Sequence, residues 1–221
     1  MSSNRTRKLS PTIVDSIVQN LFRSWTKKFS PKCPTPYPLV SPSGRICLQP
    51  LESGEIALVE EWFKDRETCE LAFGVKASWD ILSAMRSEYI EELQRDKVGV
   101  LSIRLGTSQE TKPVGFVRYK LFHRGRNKGA RVGIILGPPE ARGTGVGKEA
   151  FQTLIDYLFE LRSVRRVELD TAHFNLRARQ CFESCGFTAI REVEFSTIHS
   201  DLVEKRLMMQ LDREDWLKTR G

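Results

Sequence analysis

A glycine-rich segment between an apolar run and an amphipathic run constrains the fold more than any other part of this sequence. It reads Arg-Gly-Thr-Gly-Val-Gly-Lys over residues 142–148. The residues before it, 130–136, are predicted as a strand, and the residues after it, 145–161, as a helix. Glycine lets a ligand approach the backbone, and the N–H groups at the start of a helix favour an anion. The segment therefore predicts a strand–turn–helix unit with a phosphate or pyrophosphate site at the turn.

Two common phosphate-binding motifs are excluded by the residues present. A P-loop requires a glycine where Arg142 stands, and a Ser or Thr where Glu149 stands. A dinucleotide fingerprint requires a third glycine at the position of Lys148. The site must belong to another class of phosphate-binding loop.

Composition excludes several protein classes. The chain has 221 residues, of which 40% are hydrophobic and 29% are charged, as expected of a globular protein. No apolar stretch approaches the 18 or so residues that a membrane helix needs. The five cysteines are scattered without a CxxC pair, so neither a disulfide framework nor a metal site is predicted. Such cysteine usage fits a reducing compartment, and we expect a cytoplasmic protein.

The net charge of +7 is unevenly distributed. Residues 1–32 hold seven basic residues and one acidic residue, whereas residues 52–96 hold twelve acidic and five basic residues. Segregated charge predicts two different ligands or surfaces rather than one basic stripe, so a nucleic-acid partner is not expected.

The chain divides into an arm and a domain. Residues 1–42 are predicted as a basic amphipathic helix, starting at Ser10-Pro11, followed by a proline-rich linker. Residues 43–221 are predicted as one compact domain. We expect the arm to pack on the domain or on a second subunit, and the second case would give a homodimer. Contact with a membrane surface or a nucleic acid is the alternative.

The periodicity of the domain predicts an α/β (α+β) fold, with a mixed sheet of about seven strands flanked by about four helices. Residues 64–77 are predicted as a loop. The predicted strands are 45–48, 98–105, 114–122, 130–136, 167–171, 188–195 and 202–211, and the predicted helices are 53–63, 78–96, 145–161 and 175–185.

Arg142, Gly145 and Gly147 form an Arg-x-x-Gly-x-Gly pattern that resembles the acetyl-CoA pyrophosphate loop of the GNAT acetyltransferase superfamily. A second element supports the resemblance. Residues 175–187 read Asn-x-x-Ala-x-x-x-Phe-x-x-x-Gly-Phe, which is similar to the helix that follows in that family. The resemblance covers about residues 45–211. The opening phrase, residues 46–51, resembles the branch of ribosomal-protein N-terminal and polyamine acetyltransferases.

The resemblance implies a splayed sheet in which the strands at 132–136 and 167–171 diverge. The gap between them would hold the pantetheine arm of acetyl-CoA, and backbone groups near Ile135 would polarise the acetyl carbonyl. The implied cofactor-binding residues are Ile134, Ile135, Leu136, Arg142, Gly143, Thr144, Gly145, Val146, Gly147, Lys148, Asn175 and Arg179.

The sequence departs from the family at both usual acid/base positions. Phe182 stands where many members have a proton-donating tyrosine, and Arg131 stands where many have a glutamate. The replacement candidates are Asp170, His173 and Glu70, and Ser184 and Cys185 are further thiol or hydroxyl candidates near the missing tyrosine. These residues could instead have no catalytic role, because Asp170 can cap a loop and a lone histidine in a turn, such as His173, is commonly solvated.

The predicted function is an N-acetyltransferase that moves the acetyl group of acetyl-CoA to a primary amine. Five acidic residues cluster in and after the first helix of the domain, which predicts a cationic small molecule or a protein N-terminus as the acceptor. The alternative is a catalytically degenerate acyl-CoA-binding module whose arm contacts protein or RNA. The acidic cluster is Glu60, Glu61, Asp65, Glu67 and Glu70.

Overall fold

The structure of the chain is a computed structural model that describes residues 38–94, 98–106, 111–196 and 202–219. The predicted amphipathic helix of the arm lies outside these residues. Within them there are eight strands and six α-helices, one strand and two helices more than the sequence predicts.

The strands are β1 (Leu39–Val40), β2 (Ile46–Pro50), β3 (Gly99–Leu105), β4 (Pro113–Arg124), β5 (Asn127–Leu136), β6 (Arg166–Ala172), β7 (Thr188–Ser196) and β8 (Val203–Asp212). The helices are α1 (Ile56–Trp62), α2 (Arg66–Phe73), α3 (Trp79–Leu93), α4 (Val146–Glu160), α5 (Leu176–Ser184) and α6 (Arg213–Lys218). Single 3-10 turns precede α1 and the glycine-rich segment.

The strands form one mixed sheet in the order β1-β2-β3-β4-β5-β6-β8-β7. All neighbouring pairs are antiparallel except β5 and β6, which are joined through α4 and run parallel. This confirms the predicted mixed sheet and the strand–turn–helix–strand unit at its centre.

The sheet opens between β5 and β6. Their pairing covers Gly129–Arg131 on β5 and Arg166–Glu168 on β6, and then it stops. Beyond that point β5 remains paired to β4 as far as Leu136, and β6 remains paired to β8 as far as Ala172. The predicted divergence of these two strands is confirmed, and it leaves a wedge-shaped gap whose apex lies at Arg131.

Two apolar layers pack against the sheet, one on each face. Helix α4 covers one face with Phe151, Leu154 and Leu158, all fully buried. Helices α1, α2 and α3 cover the other face, where Phe63 and Phe116 are fully buried. A side chain of this size contributes about 1.5–3 kcal/mol when it is buried, so both layers stabilise the domain.

Helix α2 corrects the predicted loop at residues 64–77. Asp65 caps its start, because the carboxylate Oδ2 accepts a hydrogen bond from the Thr68 N–H at 2.8 Å. Gly74 ends it in the left-handed conformation, with a φ of +68°. Both end signals are present in the sequence, but the eight residues between them make only about two helical turns, which is too short for a helical period to stand out.

Two further elements were not predicted. Strand β1 lies inside the predicted linker and pairs with β2 through Leu39 and Val40, so the described sheet begins at Leu39. Helix α6 follows β8, and its Trp216 is buried on the ring of Phe159, with centroids 5.1 Å apart. The Trp216 indole N–H also donates to Asp156 of α4 at 2.9 Å. Strand β1 thus adds one edge strand to the sheet, and α6 packs against α4.

Candidate active site

The glycine-rich segment forms a tight turn that leads directly into α4. Gly143 and Gly145 have φ angles of +75° and +85°, a region that favours glycine because it has no Cβ. A Cβ on Gly147 would lie 3.2 Å from the Leu136 side chain, so glycine also lets α4 approach the end of β5. The first N–H groups of α4 have no carbonyl four residues earlier in the helix. This backbone geometry suits a phosphate, and the binding of a pyrophosphate at the turn stays a prediction.

The turn is braced from both sides. The Thr144 hydroxyl donates to the Ala141 carbonyl at 2.8 Å, and the Arg45 guanidinium donates to the Thr144 carbonyl at 2.6 Å. Glu149, in the first turn of α4, accepts a hydrogen bond from Ser43. These contacts fix the shape of the loop, and a fixed shape lowers the entropic cost of binding a ligand.

The open edge of β5 runs from this turn down into the gap. Ile134 and Leu136 turn their side chains towards the α4 layer, and Ile135 turns towards the layer of α1–α3. Among the described strands, none pairs with this edge beyond Arg131. Its backbone groups can therefore hydrogen bond to a pantetheine arm, which carries amides.

Arg142 is directed towards helix α2 rather than into the turn. Its side chain is only 8% exposed. One terminal nitrogen donates to Glu67 at 3.1 Å, and the other donates to the Thr68 hydroxyl at 2.5 Å and to the Gly137 carbonyl at 3.1 Å. Asp65 lies 3.7 Å away. The predicted contact between Arg142 and a pyrophosphate stays a prediction, whereas its contacts to α2 are formed.

Asn175 and Arg179 have local partners on α5. Asn175 is the N-cap residue, since its side-chain oxygen accepts from the Ala178 N–H at 3.1 Å. Arg179 pairs with Glu183, one helical turn later, at 2.9 Å. Their predicted roles in cofactor binding stay predictions.

Phe182 is buried in the α4 layer, with its ring centroid 4.9 Å from that of Phe151. The thiols of Cys181 and Cys185 lie on the same helix. A hydrogen bond between them lowers the pKa of Cys181 and, with burial, raises the pKa of Cys185. The Cys185 thiol lies 4.0 Å from the Lys148 carbonyl, which sets the end of α5 against the start of α4.

The three predicted catalytic residues have different surroundings. Asp170 lies at the apex of the gap, where Arg206 Nε is 2.8 Å away and Arg131 is 3.7 Å away. His173 is half exposed, and its Nδ1 lies 3.3 Å from Glu192 Oε1 on β7. Of the two, Asp170 is the one placed beside the opening of the sheet.

Glu70 lies on helix α2 rather than in a loop. It accepts a hydrogen bond at 2.8 Å from Nε of Arg66, which is one helical turn earlier. Arg66 also donates to the Ala77 carbonyl at 2.6 Å. These contacts tie Glu70 to the framework of α2.

The acidic cluster is largely compensated by nearby cations. Glu67 contacts both Arg142 and Arg177, the latter at 3.7 Å. Glu61 pairs with Lys64, and Glu70 pairs with Arg66. The electrostatic field of this wall is therefore weaker than the sequence count suggests.

Residues 45–188 match the family described as acetyltransferase (GNAT) domain, so the chain belongs to the GNAT acetyltransferases. A spermidine N-acetyltransferase from Vibrio cholerae, solved with CoA and spermine, has a TM-score of 0.60 at 18% identity, covering 78% of this chain and 98% of that one. The aminoglycoside acetyltransferase AAC(6')-Ib, solved with coenzyme A, has a TM-score of 0.59 at 19% identity, covering 80% and 99%. A GNAT acetyltransferase from Bacillus anthracis has a TM-score of 0.60 at 15% identity, covering 77% and 96%.

The family membership confirms the resemblance and makes the protein an acyltransferase that uses acetyl-CoA as donor. Within the described ranges, no group of three or more His, Cys, Asp or Glu side chains is placed to hold a metal ion. No helix in the same part of the chain has the length and apolar character to cross a bilayer.

Proposed function

We propose that this protein transfers the acetyl group of acetyl-CoA directly to a primary amine held at the gap between β5 and β6. The observation that carries the proposal is the continuity of the glycine turn with the open edge of β5. A pyrophosphate at the turn and a pantetheine arm along that edge direct the thioester towards the apex. The opposite face of the gap, beneath α1–α3, then receives the amine.

The chain's contribution to the reaction is binding and polarisation. The N–H groups of the turn hold the pyrophosphate, and backbone groups near Ile135 hydrogen bond to the acetyl oxygen, where negative charge develops during attack. The amine nitrogen forms the new bond to the acetyl carbon while the carbon–sulfur bond breaks. The amine gives up one proton and the departing thiolate takes one up, so that the products are the acetylated amine and the free CoA thiol. A thiol of pKa about 8.5 leaves without strong acid assistance. This suits a site whose usual tyrosine is replaced by the buried Phe182.

The finer prediction is a cationic small amine or a protein N-terminus. The names of two similar structures, a spermidine and an aminoglycoside acetyltransferase, support a cationic amine. The acidic cluster supports it less than its sequence count suggests, because Lys64, Arg66, Arg142 and Arg177 lie against four of the five carboxylates. A cytoplasmic location, a homodimer and the roles of the arm stay predictions.

The second candidate is a catalytically degenerate acyl-CoA-binding module whose arm contacts protein or RNA. The burial of Phe182 and the engagement of Asp170 with two arginines favour it, because neither residue then serves as a ready acid or base. The two candidates share the cofactor site and differ in turnover and in the role of the arm.

A thiol-release assay with acetyl-CoA and a panel of primary amines separates them. We expect release of CoA thiol that requires an amine and a matching acetylated product in the mass spectrum. The CoA affinity is measured by calorimetry on the same sample. Tight CoA binding without amine-dependent release would contradict the enzyme and support the binding module.

A further inference from the structure

Tyr89 brings a hydroxyl group to the acceptor side of the sheet. The described residues hold three of the four tyrosines, and two of these, Tyr119 and Tyr157, lie on the α4 face with their hydroxyl oxygens 3.4 Å apart. Tyr89 belongs to α3 and packs, partly buried, in the layer on the other face. Among the described residues its hydroxyl has no hydrogen-bond partner. Its hydrogen and its lone pairs are therefore available to a ligand.

Aromatic contacts fix the ring of Tyr89. The rings of Phe63 and Phe73 meet it edge-on, with centroids 5.6 and 5.7 Å away, and the centroid of the Phe116 ring lies at 6.4 Å. Such pairs contribute about 0.5–1.5 kcal/mol beyond the burial of their area. All three phenylalanines are buried, so the core of this layer holds the phenol in place.

The ring lies over β4 and the open part of β5. On β4, Phe116 pairs with Ile135 of β5, and two residues further along Arg118 pairs with Gly133. Both β5 positions lie beyond the last pair with β6. The Arg118 guanidinium lies 4.7 Å from the centroid of the Tyr89 ring, and a Cβ on Gly133 would lie 3.2 Å from Arg118 Nε. The phenol therefore stands on the acceptor face, above a segment of β5 that pairs with β4 only.

A ligand that runs along β5 from the glycine turn reaches this segment before the closed end of the gap. The turn follows the end of β5, so the order along the open edge is Ile135, then Gly133, with the closed end last. The acetyl oxygen is proposed to bind near Ile135, which lies opposite Phe116. Tyr89 contacts both Phe116 and Arg118. It therefore stands beside the proposed position of the acetyl group, on the side from which the amine approaches.

The hydroxyl of Tyr89 stays protonated at neutral pH. Burial raises the pKa of Tyr89. Glu92 of α3 raises it further, whereas Arg118 of β4 and Arg206 of β8 act in the opposite direction. The ring neighbours from the ends of α1 and α2 are uncharged. A protonated hydroxyl is both a donor and an acceptor, so it can take up a proton on its oxygen while it gives away its own.

We propose that the Tyr89 hydroxyl relays the proton from the acceptor amine to the CoA sulfur. The relay rests on the proposed function and deepens it, because it assigns a path to the proton that the amine gives up and the thiolate takes up. As the nitrogen–carbon bond forms, the proton on nitrogen passes to the Tyr89 oxygen. As the carbon–sulfur bond breaks, its electron pair stays on sulfur, which takes the original hydroxyl hydrogen. Tyr89 ends as a neutral phenol.

The relay suits the side chains around the gap. Phe182 carries no proton to donate, and Asp170 is engaged by two arginines. A hydroxyl that takes part in both transfers needs neither of them. Because the phenol is neutral before and after the reaction, its partly buried surroundings do not have to hold a lasting new charge.

Tyr89→Phe tests the relay, because it keeps the ring and removes the hydroxyl. With acetyl-CoA and an amine that turns over in the thiol-release panel, kcat and both KM values are measured, together with CoA affinity and melting temperature. We expect kcat to fall about a hundredfold, the lower end of the range for proton transfer by a positioned side chain. CoA affinity and melting temperature should be unchanged.

Tyr119→Phe is the matched control. It removes a hydroxyl from a tyrosine of β4 that lies on the opposite face of the sheet, against the α4 layer. This variant should keep the wild-type kcat.

The pH dependence separates a relay from a structural role. The relay needs a protonated phenol, so kcat should fall at the alkaline pH where Tyr89 ionises, and its raised pKa places this fall above the range of an ordinary tyrosine. Replacing Tyr89 with difluorotyrosine lowers the pKa of the phenol while the hydroxyl is kept. We expect the alkaline fall of kcat to move to lower pH in this protein, whereas the same replacement at Tyr119 should not move it.

The outcomes separate the relay from the proposed function. A Tyr89→Phe protein with the wild-type kcat would overturn the relay and leave acetyl transfer intact. A reduced kcat in Tyr89→Phe, with an alkaline fall that fluorination does not move, would assign Tyr89 a structural role and would also overturn the relay. If Tyr89→Phe fails to fold, the fluorinated protein decides the question alone. Absence of amine-dependent thiol release from the wild-type protein would contradict the proposed function and the relay with it.

Discussion

The cofactor turn and the apex cluster, which we define as Arg118, Arg131, Asp170 and Arg206, border the same gap, but they are built in different ways. The turn presents backbone N–H groups, and its conformation depends on two glycines with positive φ angles. The apex presents three guanidinium groups and one carboxylate, each from a different strand, that are brought together only by the sheet. A site made of backbone tolerates little change at its glycines, whereas a site made of side chains can change its specificity one residue at a time. We therefore expect the cofactor turn and the apex cluster to respond differently to substitution.

The largest effect is expected at Gly145. Gly145→Val should abolish measurable CoA binding, because a branched Cβ at a φ of +85° forces the turn to rearrange and blocks approach of the pyrophosphate. Gly125→Val is the matched control, since Gly125 also has a positive φ, +62°, in open space at the β4–β5 hairpin. Calorimetry of both variants checks this. A Gly145→Val protein with wild-type affinity would remove the turn from the cofactor site.

Arg142 joins the cofactor turn to helix α2 and is expected to show an intermediate effect. Arg142→Ala should weaken CoA binding by about 1–3 kcal/mol, since its buried guanidinium fixes the turn against α2. Glu67→Gln distinguishes two routes. If Arg142 acts by holding the turn through α2, Glu67→Gln also lowers CoA affinity. If Arg142 binds the pyrophosphate directly, releasing it from Glu67 leaves CoA affinity unchanged or higher.

Asn175 gives a smaller effect that separates capping from cofactor binding. Asn175→Ala should lower stability by about 1 kcal/mol through loss of the α5 cap. Asn175→Asp retains a capping oxygen, so its melting temperature should remain near that of the wild type. CoA affinity measured in both variants shows the second role: a cap alone predicts that Asn175→Asp binds CoA normally. Weak binding in this stable variant would place Asn175 at the cofactor.

The smallest effect concerns the reactivity of the thiols. Their labelling rates test whether the α5 side of the site is more accessible to a reagent than α2 is. Burial raises the pKa of Cys69 on α2 to about 11, so this thiol is almost entirely protonated at pH 7.5. Its neighbour Cys185 lowers the pKa of Cys181, which increases the thiolate fraction. Iodoacetamide should therefore label Cys181 before Cys69 in peptide mapping by mass spectrometry. Equal labelling rates would contradict these environments.

Most of the framework follows from local patterns. The seven predicted strands of the domain and the four predicted helices all occur, because each has an apolar period or a glycine boundary of its own. The cofactor turn is also local, since residues 142–148 contain both its glycines and the start of its helix.

The acceptor side could not be predicted in the same way. Helix α2 has good end signals, Asp65 and Gly74, but it is only eight residues long. The side-chain partners of Arg142 on that helix lie more than 70 residues away in the sequence, and the apex cluster depends on the register of four strands. The sequence of β8 does indicate one part of the apex cluster. Leu207 and Met209 are buried at alternate positions, so Arg206 lies on the opposite face of the strand.

The divergence of β5 and β6 also shapes how the backbone exchanges hydrogen with solvent. From Val132 to Leu136, β5 is bonded to β4 on one side only, so alternate amides of a central strand face the open wedge. In the absence of a ligand these amides should exchange as quickly as those of a sheet edge, while their immediate neighbours stay protected. A ligand in the wedge would convert this alternating pattern into uniform protection, and residues 129–131, which are paired on both sides, would serve as the internal reference.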